Sequence, residues 1–143
     1  MNLFFDTSSL FKLYHHEEGT NELIGFFKSN SIDSIYISEI TGIEFSSAVW
    51  KKCRKQEISE NIAQILIEKF EIDSANYQFV NQNDKIIKLS KNLIAKHWKT
   101  GLRTLDSIQL ASVLIVKKDI DYFFTSDMIL SEVATIEGLK VKN

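Results

Sequence analysis

The sequence predicts an α/β fold built on a mostly parallel sheet with helices over both faces. Three observations carry that prediction. Short runs rich in apolar, aromatic and β-branched residues, "NLFF", "SIYIS" and "YFFTS", recur along the chain and have the length of strands. Between them lie segments with apolar residues three and four apart, the spacing of amphipathic helices. Strands alternating with helices pack as parallel sheets that are buried on both faces.

Residues 2–5 are an apolar run followed at once by the hydroxyl-rich "DTSS", which reads as a buried strand and a turn. Ser8 or Ser9 is placed to cap a short helix through about His16. A second helix fits Thr20–Lys28, with Leu23, Ile24, Phe26 and Phe27 toward the core. Residues 34–38 form the next strand and 40–55 a helix. Residues 59–71, "SENIAQILIEKFE", open with a serine cap and carry Ile62, Ile65, Leu66 and Phe70 on one helical face. "YQFV", 77–80, is a further strand, and 83–98 and 104–118 are two helices parted by a turn at Gly101. "YFFTS", 122–126, is a strand, Asp127 to about Ile136 a short helix, and "LKVK", 139–142, the closing strand.

The composition points to one domain, residues 1–143. Proline is absent, the five glycines are scattered, and no repeat, linker-like tract or single-sign charge run divides the chain. No apolar stretch reaches the roughly 18 residues of a membrane span, and the first residues lack a signal-type core, so we expect a cytoplasmic protein with no membrane contact. The single cysteine, Cys53, leaves no intrachain disulfide and no cysteine-rich zinc site. A net charge of −2 argues against a wholly basic nucleic-acid module, so any phosphate contact must be local. "KKCRK" at Lys51–Lys55 and the row Lys85, Lys88, Lys91, Lys96 and Lys99 leading to Arg103 are the two places for it, though either also reads as a solvated helix face.

Most of the 19 acidic residues sit where a wet surface is expected, but four stand in apolar company. Asp6 and Asp127 follow two strands directly, and ligands of parallel sheets bind at the carboxyl ends of strands. Glu44 lies in "EITGIEFSSAVW" with Ile40 and Ala48 four residues away on either side, and Asp106 opens the apolar helix "TLDSIQLASVLIV". Asp106 and Asp127 also suit helix N-termini, and Asp6 suits a turn, where backbone N–H groups satisfy a carboxylate. Together, however, four acids in such places call for a cation, because a buried carboxylate must be paired, hydrogen-bonded or metal-bound. Oxygen ligands without His or Cys favour Mg²⁺ or Mn²⁺ over zinc. His15, His16 and His97 lack the spacing of a zinc pair. One or two such ions suit phosphoryl chemistry by neutralising a phosphodiester oxygen and acidifying a bound water.

"FFDTSSLFKLY", "ITGIEFSSAVW", "LRTLDSIQLASV" and "FFTSD" resemble, in that order, the motif blocks of PIN-domain ribonucleases, and specifically the VapC-type toxins of toxin–antitoxin pairs. The resemblance spans nearly the whole chain. It implies a three-layer α/β/α PIN-like domain, an acidic Mg²⁺/Mn²⁺ pocket at the strand ends, and endonucleolytic cleavage of RNA by metal-activated water. Residue by residue, it implies Asp6, Glu44, Asp106 and Asp127 as the catalytic, metal-holding acids, with Asp127 acting directly or through water. Thr7 and Ser8 would be hydrogen-bonding support beside the metal. It also implies a homodimer and a cognate antitoxin that blocks the acidic groove. Alternatives of the same fold are a nuclease of RNA maturation without an antitoxin, and a PIN scaffold that binds RNA or a partner without cutting. Aspartyl-phosphate phosphatases also open on a strand ending in Asp, but their D-x-D arrangement fails here because Ser8 holds the third position.

Overall fold

The computed structural model describes residues 1–143. Five strands, β1 (Asn2–Phe5), β2 (Ser34–Ser38), β3 (Gln78–Val80), β4 (Tyr122–Phe124) and β5 (Val141–Lys142), form one sheet. Seven helices intervene: α1 (Thr7–Phe11), α2 (Thr20–Ser29), α3 (Thr41–Arg54), α4 (Glu60–Ser74), α5 (Asp84–Lys96), α6 (Thr104–Ile115) and α7 (Met128–Ile136). Every strand pairing is parallel and the order is β3-β2-β1-β4-β5.

Side-chain alternation along the strands builds two cores. Leu3 and Phe5 of β1, with Ile37 and Phe124, pack under Phe11, Leu23, Phe45, Val49, Leu66 and Phe70 of α1 to α4. Phe4 and Phe123 face the other way, against Ile86, Leu93, Leu110, Val113, Leu130 and Val133 of α5 to α7. Phe5 stacks on Phe124 at 4.7 Å and Phe45 on Phe70 at 4.3 Å. Each fully buried phenylalanine contributes about 1.5–3 kcal/mol of burial free energy. The crossovers β1→β2→β3 move one way along the sheet over the first core, and β3→β4→β5 move the other way over the second. Right-handed connections require that division. The chain therefore reverses direction between β1 and β4, and a crevice opens there at the strands' carboxyl ends.

Some element boundaries differ from expectation for identifiable reasons. Helix α1 is capped by Asp6 rather than by Ser8 or Ser9, and it stops at Phe11 rather than near His16. Tyr14 leaves the helical path to lie edge-on against Phe45, with its hydroxyl bonded to Tyr77 at 2.5 Å. Helix α4 has the expected Ser59 cap, but it turns Ala63, Leu66 and Phe70 inward and leaves Ile62 and Ile65 44% and 56% exposed. The stacking of Phe70 on Phe45 sets that rotation. Ile24 of α2 is likewise outside the core, and α6 ends at Ile115, before a short 3₁₀ turn. Strand β4 ends at Phe124 because Thr125 and Ser126 turn toward Asp6 and Ser8. No helix is long and apolar enough to cross a membrane.

Candidate active site

Asp6 is the carboxylate that leaves β1. It is 4% exposed, and its oxygens accept from three donors. Oδ1 accepts from the Ser9 N–H at 2.8 Å and from Ser8 Oγ at 2.8 Å, and Oδ2 accepts from Ser8 Oγ at 2.9 Å and Thr125 Oγ1 at 2.5 Å. The Ser8 hydroxyl has one hydrogen, shared between the two oxygens. No Lys or Arg is bonded to Asp6. Burial pushes its pKa above the ordinary aspartate value, opposed by the bonds from Thr125, Ser9 and Ser8. The residue thus caps α1 and also places a carboxyl group with no basic partner at the sheet rim.

Asp106, in the first turn of α6, is partly open to solvent. Its pKa is raised first by burial and then by the charges of Asp127 and Asp6, while Arg103 pulls it down. Arg103 Nε stands 3.8 Å away, at the limit of an ion pair and largely solvated. Asp127 caps α7 by accepting from the Leu130 N–H at 2.7 Å. Its own N–H donates to Thr125 Oγ1 at 3.1 Å, so one buried hydroxyl ties both strand-end acids. Asp106 therefore lies within electrostatic reach of both strand-end acids at the β1/β4 crevice.

Glu44 approaches from α3 and does not figure among the charges that act on Asp106. Its Oε1 accepts from Thr7 Oγ1 at 3.0 Å and from Gln109 Nε2 at 2.7 Å. Thr7 therefore serves Glu44 rather than Asp6, and of the two expected supporting hydroxyls only Ser8 bonds the strand-end aspartate. No three acidic, histidine or cysteine side chains close round one point as a finished metal cage. The donor chemistry nevertheless fits a hard divalent cation. The donors are carboxylate oxygens, no basic group bonds Asp6, and the repulsion felt at Asp106 is what a cation would relieve.

A cavity of about 780 Å³ begins at Thr7, Ser8 and Glu44 and runs past Lys51, Lys55 and Arg103. Of the two basic clusters in the sequence, "KKCRK" reaches it through Lys51, Lys52 and Lys55, and the second row only through its last member, Arg103. Lys52 is already committed, lying 3.0 Å from Glu17 and 3.2 Å from Glu57. In the other row, Lys88 and Lys91 line a separate shallow depression and Lys96 pairs with Glu137 at 2.7 Å. His97 is buried and bonded to Glu137 at 2.6 Å, a satisfied histidine.

Sequence reasoning missed Gln109 and Thr125. Gln109 was visible as the one amide in an apolar helix, three residues after Asp106 and so on the same face. Thr125 had no local signal, since a β-branched residue after "YFF" reads as more strand.

No family model matches the sequence, nor does any curated protein. Solved structures match by fold. FitAcB from Neisseria gonorrhoeae superposes with a TM-score of 0.70 at 14% identity, over 99% of this chain and 96% of that one. The sarcin-ricin loop cleaving toxin VapC20 from Mycobacterium tuberculosis gives 0.70 at 14% identity, over 96% and 95%. A toxin–antitoxin complex from Klebsiella pneumoniae gives 0.60 at 18% identity, over 87% and 86%. These likenesses establish the fold, the PIN-like α/β/α arrangement.

Proposed function

We propose that this protein is a Mg²⁺- or Mn²⁺-dependent endoribonuclease, the toxin of a toxin–antitoxin pair, acting on RNA in the cytoplasm. The observation that carries the reading is the setting of Asp106, whose pKa is raised by burial and by the charges of Asp127 and Asp6, beside a cavity lined by Ser8, Glu44, Lys51, Lys55 and Arg103. Asp6, Asp106 and Asp127 would hold the ion, with Glu44 at the cavity side. When bound, a divalent ion supplies charge neutralisation at the phosphodiester and a more acidic water. In the reaction water adds to phosphorus, the ester P–O bond breaks, and the leaving oxygen takes up a proton.

The chain's own groups do the rest. Ser8, Ser9 and Thr125 hold the Asp6 carboxylate in place without neutralising it. Lys51 and Lys55 have no ion-pair partner, Arg103 has only the long, solvated contact to Asp106, and all three would contact RNA phosphates, which fixes the strand's position but not its sequence. Ile43 and Leu105, 76% and 51% exposed on the cavity wall, offer apolar surface for a protein partner to cover. We assign that role to a cognate antitoxin and expect the toxin to be a homodimer.

Induced expression tests the biological half of the proposal. Growth arrest, new RNA ends mapped after brief induction, and relief by a small protein encoded next to the toxin would support it. Unchanged growth and unchanged RNA ends would overturn it.

A further inference from the structure

Gln109 carries an arrangement that neither packing nor the acidic rim accounts for. It is 2% exposed on α6, and its amide nitrogen reaches three oxygens on two other elements. Glu44 Oε1 lies at 2.7 Å, Thr41 Oγ1 at 3.1 Å and Thr7 Oγ1 at 3.2 Å. The amide's own oxygen is buried with no hydrogen-bond partner. Rotating the amide would find no rescue, because its oxygen would then face the Glu44 carboxylate, acceptor against acceptor. A leucine or methionine would fill the same space without an unpaired polar atom. Gln109 is therefore a poor choice for packing and a good one for holding Glu44.

Thr7 donates to the same Glu44 oxygen at 3.0 Å. Oε1 is thus fastened by two donors from separate elements, while Oε2 accepts no hydrogen bond from the protein. We infer that Gln109 is a positioning residue that locks Glu44 through Oε1 and leaves Oε2 available to a divalent cation or its bound water. The inference rests on the nuclease reading, and it assigns to α6 a second task beside presenting Asp106. Groups that orient a ligating carboxylate typically matter by 10–100-fold in metal affinity or activity.

The test uses the full chain and Gln109→Met, which keeps the volume and removes the donor. Thermal unfolding, Mn²⁺ binding followed by electron paramagnetic resonance without RNA, and RNA cleavage at saturating substrate are measured together. We expect an unfolding temperature equal to or above wild type, Mn²⁺ binding about tenfold weaker, and a kcat at least tenfold lower with KM for RNA unchanged. In a Glu44→Ala background, Gln109→Met should then have no further effect on Mn²⁺ binding. Unchanged Mn²⁺ affinity in Gln109→Met, an equal loss in the Glu44→Ala background, or a variant that fails to fold would each overturn the inference. Wild type that neither binds Mn²⁺ nor cuts RNA removes the nuclease reading itself. Wild type that does both, with Gln109→Met indistinguishable from it, removes only the role of Gln109.

Discussion

Thr125 Oγ1 lies 2.5 Å from Oδ2 of Asp6, joining residues 119 positions apart at the ends of adjacent parallel strands. The same hydroxyl accepts from the Asp127 N–H. Parallel pairing of β1 with β4 places these groups together, and their burial makes each bond matter more than it would in water.

Thr125→Val keeps the shape and removes both bonds. The Asp6 carboxylate then loses a donor while still buried, and we expect a loss of about 1–3 kcal/mol in urea unfolding. Thr125→Ser should restore most of it. Equal stability of the Val and Ser variants would contradict the role given to the hydroxyl.

Asp106→Asn should separate stability from activity. Burial and the charges of Asp127 and Asp6 raise the Asp106 pKa, so in the metal-free protein its ionised form works against folding. A carboxyl whose folded pKa lies above its unfolded value weakens the fold at pH above the folded pKa, and that penalty disappears on acidification. We therefore expect Asp106→Asn to melt higher than wild type at neutral pH without divalent ions, with the difference shrinking as pH falls. Mg²⁺ should raise the wild-type melting temperature and raise that of the variant far less.

Glu137 should show the opposite pH dependence. Burial alone would raise its pKa, but Lys96 and His97 outweigh burial and the net shift is downward. The pairing therefore supports the fold above the unfolded glutamate pKa and is lost as pH falls through the lower folded value. In urea unfolding, Glu137→Gln should be less stable than wild type near neutrality and converge with it in acid. A stability gap that persists at low pH would count against the ion pairs.

The basic groups of the cavity should divide into two kinds. Lys51→Ala and Lys55→Ala should weaken binding of a non-cleavable RNA, and each should lower the slope of log affinity against log salt by about 0.7 for every phosphate left without its lysine. Lys52→Ala should act mainly on the fold, because Lys52 holds Glu17 and Glu57. Equal salt slopes for all three variants would contradict the division.

The five strands and the helices between them were legible because each carries its own period, and the sheet's parallel sense followed from their alternation. What escaped was set by contacts distant in sequence. Phe70 stacking on Phe45 decides which face of α4 is buried, so Ile62 and Ile65, equally apolar, end up outside. Tyr14 shortens α1 for a partner at Tyr77. In the site, Asp6, Glu44, Asp106 and Asp127 stood out as acids in apolar context, and the fold sets Asp127 and Asp6 near enough for their charges to raise the Asp106 pKa. The pairing of Thr7 with Glu44 had no local signal, and Gln109, visible as the lone amide of α6, gave no sign of its partners, because residues 7, 44 and 109 meet only after three separate elements pack.

RNA cleavage by purified protein with and without Mg²⁺ or Mn²⁺, wild type beside Asp106→Asn, decides whether the acidic rim is a metal-dependent nuclease site. Asp106 is partly exposed, so the variant should remain folded. Wild type should cut only with the ion, and the variant should cut about 100-fold more slowly, on the scale of removing a metal-holding charge. Cutting that survives chelation, or that is equal in both proteins, would contradict it.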